Sequence, residues 1–281
     1  MTSPVTLITG SSSGIGLEIA VQAAGGGHTV VATMRDLAKA HRLRDAARAI
    51  GVTLDIRQLD VTDADSIAAC IDGVVDTHGR LDALVNNAGA GHVGTIENES
   101  LDTVRDVMEV NFFGVVAVTK AALPHLRASG GRVVTVSSVG GAVGQPFSEA
   151  YCAAKFAVEG FLESLAPVAE TVGVRVSIVE PGAVASDFVP NIGLDRASMV
   201  ADAGAYGPAL DAYLARSGQS FANAQSSADA AAAVVAVLDS SAPTLRVQTS
   251  AGASAFVGTK LVDLDGGAVL GMTRTWVAAA D

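Results

Sequence analysis

The chain has 281 residues, 49% of them hydrophobic and 17% charged, so it can bury a large core and is not intrinsically disordered. Its formal net charge is -11 and it has no cluster of basic residues, which argues against a binder of nucleic-acid phosphates. Cys70 and Cys152 have no C-x-x-C partner, and the five histidines lack metal-ligand spacing, so the sequence predicts no disulfide framework and no metal site.

Short apolar runs and helical patterns alternate along the chain. The predicted strands are Val5 to Thr9, Thr29 to Thr33, Thr53 to Leu59, Leu81 to Val85, Arg132 to Ser137 and Val174 to Val179. The predicted helices are Ile15 to Ala24, Leu37 to Ile50, Ala64 to Thr77, Leu101 to Ala128 and Tyr151 to Val172. Apolar strands that alternate with helices predict an α/β fold, a doubly wound, Rossmann-like parallel sheet with helices on both faces. No repeat or charged linker interrupts the pattern, so we expect a single domain over residues 1–281.

The pattern weakens after Pro181-Gly182. Residues 183–223 are rich in Ala, Gly, Ser and Asp and follow the sixth strand, which predicts a small substrate lid. A helix from Ser227 to Leu238 and a strand from Thr244 to Thr249 are predicted next, and the extension 251–281 is compatible with helix or extended chain. The segment before Val5 is too short for a signal peptide, and no apolar stretch has membrane-spanning length. We therefore expect a cytoplasmic protein without a membrane span.

A Gly-rich turn, Thr9 to Gly16, connects the first predicted strand to the first predicted helix. Glycine permits positive φ and lets the backbone approach a pyrophosphate at a helix N-terminus. Such a loop is often only structural, but its position between strand and helix favours dinucleotide binding. The residues predicted to contact the cofactor here are Gly10, Ser12, Ser13, Gly14, Ile15 and Gly16.

The end of the second strand favours NADP over NAD. An NAD site usually offers a carboxylate to the ribose at this position, whereas NADP needs a cation for its 2′-phosphate. Met34 occupies the carboxylate position, and Arg35, with its planar fork of donors, follows it. The hydroxyl of Ser13 is a further candidate donor. The alternative is a solvated Arg35 with Asp36 as a displaced ribose ligand, which would suit NAD.

Polar and small residues also end the third and fourth strands. Asp60 is a candidate acceptor for the adenine amine, although an Asp at this position also caps helices. The segment Asn86 to Gly89 allows the backbone to lie along the cofactor, and its asparagines could equally tie strands together. We expect them to do both. The predicted cofactor contacts in these two segments are Asp60, Val61, Asn87, Ala88 and Gly89.

Ser138, Tyr151 and Lys155 form a pattern that suits proton transfer at a carbonyl oxygen. Tyr151 and Lys155 are four residues apart, so both point to one face of a helix. An unperturbed Tyr has a pKa of ~10, which a nearby ammonium and an oxidised nicotinamide would lower. The hydroxyl of Ser138, at the end of the fifth strand, would hold the substrate oxygen as charge develops on it. Ser137 is the main alternative for that role.

Together these residues resemble the short-chain dehydrogenase/reductase family, over about Val5 to Gly182. The resemblance implies that Asn111 is a fourth catalytic residue, which distorts its helix and positions a water that links the lysine to solvent. Ser186 stands where the family commonly has a Thr that holds the nicotinamide amide. The cofactor contacts that the family implies in this half of the chain are Tyr151, Lys155, Pro181, Gly182, Val184 and Ser186.

Within the family, the chain is similar to the branch of 17β-hydroxysteroid dehydrogenase type 1 and the retinol dehydrogenases, which favours NADP. The segments that carry this similarity are Val31 to Asp36, Ser138 to Gly141, Tyr151 to Ala157 and Pro243 to Arg246. The resemblance implies an NADP(H)-dependent oxidoreductase that interconverts a ketone or aldehyde and an alcohol by hydride transfer, with NAD as the less favoured cofactor.

Two other functions remain as alternatives. A non-catalytic dinucleotide sensor on the same fold would be expected to lose Tyr151 or Lys155, and both are present. An epimerase or dehydratase would need the glycine spacing and the larger C-terminal domain of the longer relatives, which are absent here. The sequence therefore favours the oxidoreductase.

Apolar residues around the catalytic pattern predict a hydrophobic substrate pocket. The expected lining residues are Val143, Pro146, Phe147, Phe188, Val189, Met199, Tyr206 and Leu210. No Arg or Lys lies between Ser186 and Asp195 to hold a carboxylate or phosphate. We therefore expect an uncharged lipophilic ketone or alcohol as substrate, with a steroid as one candidate.

The two longest predicted helices, Leu101 to Ala128 and Tyr151 to Val172, are apolar around much of their circumference. A helix with only one face on the sheet should carry a polar face on its other side. We therefore expect a partner copy to cover these helices in a homodimer or homotetramer.

Overall fold

The apolar runs of the sequence form a parallel sheet in the structure, a computed structural model that describes residues 3–186, 195–222, 224–265 and 267–277. The first six strands are β1 (Val5–Ile8), β2 (Thr29–Met34), β3 (Asp55–Gln58), β4 (Ala83–Asn86), β5 (Arg132–Val136) and β6 (Arg175–Glu180). Two short strands, β7 (Val184–Ala185) and β8 (Gln225–Ser226), pair with each other, and β9 (Arg246–Gln248) completes the main sheet.

The strand order explains where a ligand can bind. Within the described residues the main sheet runs β3-β2-β1-β4-β5-β6-β9, and every neighbouring pair is parallel. The direction of winding reverses between β1 and β4, so the carboxyl ends of these strands open a crevice. The predicted doubly wound sheet is confirmed.

Helices cover both faces of this sheet. They are α1 (Gly14–Gly25), α2 (His41–Ala49), α3 (Ala64–His78), α4 (Leu101–Met108), α5 (Gly114–Ser129), α6 (Glu149–Glu170), α7 (Arg196–Asp202), α8 (Gly207–Ala222), α9 (Ser227–Asp239), α10 (Ala251–Leu261) and α11 (Gly267–Val277). One apolar core joins the sheet to α3, α5 and α6, through residues such as Val118 and Leu162. A second core, with Ile19 and Val234, joins the sheet to α1, α2 and α9. Burial on both sides explains why the strands are apolar throughout.

Two predicted helices contain irregular turns. The helix predicted over Leu101 to Ala128 is interrupted by a π-helical turn, Glu109–Phe113, between α4 and α5. The helix predicted from Leu37 begins as a 3-10 turn, Leu37–Ala40, and the side chain of Asp36 accepts a hydrogen bond from the Ala38 amide at 2.9 Å. The other predicted elements before Gly182 appear with boundaries shifted by a few residues at most.

The lid and the C-terminal extension are more regular than the sequence pattern indicated. Helices α7 and α8 form within 183–223, and the Asp195 side chain caps α7 by accepting from the amides of Ala197 and Ser198. The β7–β8 pair joins the two ends of this segment. The extension folds into α10 and α11, and α11 packs against α8.

The stretch Leu101–Ser129 is, within the described ranges, the one helix long and apolar enough to cross a membrane by length and composition alone. Core helices of globular proteins meet the same criterion. Here Val115, Val118 and Leu126 pack in the core beneath the sheet, and the π-helical turn carries a buried Asn111. This packing is that of a core helix.

Candidate active site

A cavity of about 1200 Å³ opens at the carboxyl edge of the sheet, at the reversal between β1 and β4. Every residue predicted to bind the cofactor lines it, from the Gly-rich turn to Ser186. Three of the four predicted catalytic residues, Ser138, Tyr151 and Lys155, line it as well. The cavity therefore joins a dinucleotide cradle to a group that can move a proton.

The Gly-rich turn has the shape of a phosphate cradle. Gly10 has φ +70°, and a Cβ at this position would lie 2.8 Å from the Ala88 Cα. A Cβ on Gly16 would collide with the side-chain nitrogen of Asn87 and the carbonyl of Gly10. Ser13 is the N-cap residue of α1, yet its hydroxyl makes no capping hydrogen bond. The free amides of the first helical turn and this hydroxyl fit a pyrophosphate.

The end of the cavity beside β2 carries two cations and two carboxylates, which are Arg35, Lys39, Asp36 and Asp60. Met34 is buried, whereas Arg35 is exposed, and both line the cavity. Lys39, which the sequence reasoning did not single out, is a second cation there. Asp36 also lines this end, but its carboxylate is engaged in capping the 3-10 turn.

Asp60, the predicted adenine contact, lines the cavity. Its Oδ1 accepts from the amide of Thr62 at 3.0 Å and from the Thr62 hydroxyl at 2.8 Å. Burial alone would raise its pKa, but the hydrogen bonds from Thr62 and the charge of Arg35 hold the pKa below its ordinary value. The cap of α3 is instead Asp63, which accepts from Asp65 and Ser66. Asp60 thus remains ionised beside the cavity.

The two asparagines at the end of β4, Asn86 in the strand and Asn87 after it, tie the sheet together, as one of the two expected roles requires. Asn86 donates to the hydroxyl of Thr119 at 2.9 Å, across to α5. Asn87 donates to the carbonyls of Thr9 and Gly10, both at 3.0 Å, and so holds the Gly-rich turn. Of the two, only Asn87 is among the residues that line the cavity.

Ser138, Tyr151 and Lys155 meet at the other end of the cavity. Ser138 lies two residues after β5 and is hydrogen-bonded to Tyr151 of α6. Its Oγ also accepts from the Gly140 amide at 3.0 Å. Lys155, one turn after Tyr151 on α6, lies with its Nζ 5.8 Å from the Tyr151 ring centre. Its ammonium donates to the carbonyl of Val136 at 3.3 Å. The three side chains surround a space open to the cradle.

Burial shifts the two titratable groups in opposite directions. It raises the pKa of Tyr151 to about 12, against the opposing effect of the hydrogen bond with Ser138. It lowers the pKa of Lys155 to about 8, against the opposing charge of Glu159. Desolvation disfavours the charged form of each group, which explains both directions.

Ser137, the alternative to Ser138, occupies a different environment. It lines the cavity, but a Cβ on Gly141 would lie 2.7 Å from the Ser137 Oγ and 3.0 Å from Glu159 Oε1. The Ser137 hydroxyl therefore lies beside Glu159. Because Ser138 is the serine bonded to Tyr151, the geometry favours Ser138 as the partner of the substrate oxygen.

Asn111 lies behind the cavity, fully buried in the π-helical turn. Its Oδ1 accepts from the Ala90 amide at 3.2 Å, and its Nδ2 donates to the carbonyls of Ala90 and Val107, both at 2.9 Å. A Cβ on Gly89 would lie 2.9 Å from Asn111 Oδ1 and 3.6 Å from Lys155 Nζ. Asn111 thus adjoins the lysine while it occupies a distorted helical turn, as the family resemblance implied.

A buried charge cluster behind Lys155 was missed in the sequence reasoning. Arg246 of β9 contacts Glu159 of α6 at 3.0 Å and, at 3.6 Å, the fully buried Glu180 of β6. Gln248 donates to Glu180 at 2.6 Å. Burial raises the pKa of Glu159 to about 7, with Glu180 adding to the rise and Arg246 opposing it. The signal was present, because Glu159 follows Lys155 by four residues and shares its helical face.

The substrate side of the cavity differs from the expected lining. Phe188 and Val189 lie outside the described residues, and none of the other expected residues lines the cavity. Phe147 and Leu210 lie in an apolar cluster behind the wall, and Tyr206 is exposed. The apolar residues that line this side are Val93, Tyr213, Leu214, Phe221, Phe256 and Trp276.

Two arginines that follow the cation-free stretch from Ser186 to Asp195 also line this side. They are Arg196 and Arg216. Arg196 is engaged with Asp211, with its Nε 2.7 Å from the carboxylate. No sequence signal distinguished either residue, because α7 and α8 place them there only after the chain has folded.

Comparison with known proteins agrees with this geometry. The family model described as short chain dehydrogenase matches residues 4–197. Retinol dehydrogenase 8 from Bos taurus is 43% identical over 270 residues, which are 92% of this chain and 86% of that protein. 17-beta-hydroxysteroid dehydrogenase type 1 from Homo sapiens is 41% identical over 264 residues, 89% of this chain and 78% of that protein.

The fold has close counterparts among solved structures. A short-chain dehydrogenase from Streptomyces avermitilis superposes with a TM-score of 0.77 at 31% identity, over 97% of this chain and 98% of that one. Other solved short-chain dehydrogenases and oxidoreductases with similar folds hold NAD or NADP. A nicotinamide dinucleotide is thus a cofactor that this architecture accommodates.

Proposed function

Because this chain belongs to the short-chain dehydrogenase/reductase family and is an oxidoreductase acting on CH–OH groups, we propose that it uses NADP(H) to interconvert a lipophilic ketone or aldehyde and its alcohol. The observation that carries the proposal is that Ser138, Tyr151 and Lys155 share one cavity with the Gly-rich cradle. The retained triple argues against a non-catalytic sensor. The resemblance to the retinol and 17β-hydroxysteroid dehydrogenase branch is confirmed.

The side chains divide the chemistry among them. Bound NADPH would supply the hydride. The half-buried Tyr151, whose pKa is raised to about 12, holds its proton at neutral pH and donates it from its hydroxyl to the substrate oxygen. Ser138 orients that oxygen through its hydroxyl, and the Lys155 ammonium stabilises the phenolate that Tyr151 becomes. Asn111 fixes the backbone at Ala90, beside Lys155, and is the residue next to which a relay water would sit.

The preference for NADP rests on the end of β2. Met34 provides no carboxylate to repel a 2′-phosphate, and Arg35 and Lys39 line the cavity beside it. Asp36 is the acid that could have bound the ribose of NAD. Its carboxylate instead accepts a hydrogen bond from the Ala38 amide, in the 3-10 turn. Two cations and an occupied acid favour NADP.

The substrate is proposed to be lipophilic around its reacting carbon. Leu214, Phe256 and Trp276 dominate the wall of the cavity on this side. The names of the two relatives refer to a retinol and a steroid, which are lipophilic alcohols. A steroid is therefore one candidate among several.

A homodimer or homotetramer is proposed as the assembled form. Leu101, Phe113 and Val168 leave half or more of their side chains exposed on α4, the π-helical turn and α6. Phe113 contacts Phe112, whose ring in turn meets Phe161 of α6 at 6.3 Å, so the exposed surface is continuous with the core. A second copy would bury this face against itself about a two-fold axis.

A panel of ketones tests the proposed activity. Purified protein is mixed with NADPH or NADH and hydrophobic ketones, steroid ketones or small keto acids, and loss of the reduced cofactor is followed. We expect turnover with hydrophobic ketones and a higher kcat/KM with NADPH. Strong preference for small keto acids, or for NADH, would contradict the proposal.

A further inference from the structure

The C-terminal extension and the lid helix together build one wall of the cavity. Helix α11 packs against α8 and brings Trp276 next to Arg216. The guanidinium carbon of Arg216 lies 5.1 Å from the centre of the Trp276 ring, and the Phe256 ring stacks on Trp276 with centroids 5.8 Å apart. Both Arg216 and Trp276 line the cavity. The ring stack thereby holds an exposed guanidinium at the mouth of the substrate side.

Trp276 has a hydrogen-bond donor with no acceptor. It is only 9% exposed, and its Nε1 has no partner among the residues that the structure describes. An indole N–H is a donor only, and buried donors are nearly always paired. The Nε1 atom itself has almost no solvent-accessible surface, so Trp276 contributes its ring to this wall and not its N–H.

The charge at this wall is positive. The acidic side chains among the described residues that line the cavity are Asp36 and Asp60, both at the adenosine end. Arg196 is already bound to Asp211. No described carboxylate lies within ion-pair distance of Arg216, whose guanidinium contacts the Trp276 ring instead. Arg216 is thus the cation on the substrate side that remains available to an anion.

We propose that Arg216 and Trp276 form a subsite for an oxyanion, such as a carboxylate, on an elongated lipophilic substrate at the end opposite its reacting carbonyl. The proposal rests on the proposed function and deepens it. The guanidinium offers paired N–H donors to the two oxygens of the anion, and the Trp276 ring holds the guanidinium in place. The apolar wall between this subsite and Tyr151 takes the body of the molecule. The substrate is then an amphiphile, which revises the expectation of an uncharged one.

The position of the tryptophan provides a direct test, because Trp276 is the single tryptophan of the chain. Its fluorescence reports binding at this wall without any turnover. The probes are long-chain keto acids of increasing length, with the ketone next to the terminal methyl group, and the methyl ester of each. We expect the best keto acid to bind about tenfold more tightly than its ester, which corresponds to about 1.4 kcal/mol. Equal affinity of acid and ester at every length would overturn the proposal.

Two matched variants locate the effect. In Arg216→Gln the preference for the acid should disappear while the affinities for the ester and for NADPH stay unchanged. In Arg196→Gln, which removes the arginine already bound to Asp211, the preference should persist. A preference that survives Arg216→Gln, or an equal loss of NADPH affinity in that variant, would show that Arg216 does not bind the substrate anion.

Trp276→Ala tests the role of the ring, with binding measured by calorimetry. The substitution removes the surface that holds the Arg216 guanidinium. Affinity for the keto acid should fall several-fold more than affinity for the ester, and an equal fall for both would exclude that role. If acid-selective binding is found without NADPH oxidation, the proposed activity fails and the subsite stands. If NADPH is oxidised with neutral ketones and no acid selectivity exists, the subsite alone fails.

Discussion

At the scale of single residues, burial determines which proton moves. Tyr151 and Lys155 are one helical turn apart, and desolvation pushes the pKa of the first up to about 12 and that of the second down to about 8. A tyrosine in this state keeps its proton at neutral pH, so the folded chain is prepared to donate a proton to a carbonyl oxygen. Proton removal from an alcohol requires that the phenolate be favoured. A positive charge nearby has that effect, and Lys155 Nζ lies 5.8 Å from the Tyr151 ring centre.

Tyr151→Phe tests this assignment. The ring keeps its place on α6, but the acid is removed, so turnover of a ketone should fall on the order of 10²- to 10⁴-fold. NADPH affinity, measured by calorimetry, should change little because the Gly-rich cradle is untouched. Near-normal turnover in this variant would refute the role of Tyr151.

Arg35 controls cofactor choice in the proposed function, and its removal should separate the two cofactors. A charge-assisted hydrogen bond is worth roughly 1.5–3 kcal/mol, so Arg35→Ala should weaken NADPH by about tenfold or more while NADH changes little. Met34→Asp should shift the preference further towards NADH, since its carboxylate repels the 2′-phosphate. Equal losses for both cofactors in Arg35→Ala, measured as dissociation constants, would indicate structural damage only.

At the scale of elements, polar groups inside the helices have structural partners that hold the site in shape. The π-helical turn places Asn111 where its amide satisfies both the N–H and the carbonyl of Ala90 in the loop after β4. Similarly, α6 carries Glu159 into contact with Arg246 of β9, at the far side of β6. Each element thereby fixes a neighbour of Lys155 through buried hydrogen bonds, which are costly to leave unmade.

The Glu159 cluster should make stability depend on pH. The pKa of Glu159 is about 7 in the folded chain against an ordinary value of 4.5, so the folded state binds more protons between these values. Stability from this group is therefore fully present below 4.5 and is lost as pH rises through about 7. Glu159→Gln stays neutral, so its Tm should fall less across this interval than that of the unmodified chain.

Glu163→Gln is the matched control for this experiment. Glu163 also binds Arg246, at 2.8 Å, but its side chain is 60% exposed. Its removal should leave the slope of Tm against pH as in the unmodified chain. Identical slopes for Glu159→Gln and the unmodified chain would mean that Glu159 is not responsible.

At the scale of the whole molecule, exposed apolar surface favours the association of two copies, whereas the net charge disfavours it. A net charge of -11 disfavours association of two copies, so a dimer needs a continuous apolar face to overcome repulsion. The exposed Phe113 and Val168 are the candidates for such a face. Leu261, Val262 and Leu264, at and after the end of α10, form a second exposed apolar group. Because exposed apolar groups often mark interfaces, the two groups are tested against each other.

Light scattering at micromolar concentration should therefore find a dimer or tetramer. Phe113→Asp should dissociate it, because a charge would be buried in the shared face, whereas Leu264→Asp should leave the mass unchanged. A monomeric unmodified chain would disprove the assembly, and a Phe113→Asp variant that stays associated would place the interface elsewhere. Circular dichroism on both variants checks that the fold is retained.

The sequence by itself determined the sheet, the cradle and the catalytic triple. These features are local in the chain: apolar runs of strand length, a glycine spacing in a single turn, and a Tyr–Lys pair one helical turn apart. Their positions along the chain and the rule that ligands bind where the winding reverses were sufficient to place them together. The sequence left open whether Ser137 or Ser138 holds the substrate oxygen, because adjacent residues at a strand end differ only in which face of the sheet they point to.

Only the tertiary structure decided the features built by distant segments. The Glu159–Arg246 cluster joins residues 87 positions apart, and the wall of Arg216 and Trp276 arises where α11 packs on α8. In these segments small residues and weak periodicity left helix and loop indistinguishable, so neither the lid helices nor the pocket lining could be derived from pattern alone. Packing against the rest of the chain selects the helices there, and that packing places two arginines on a wall where the sequence had indicated apolar residues.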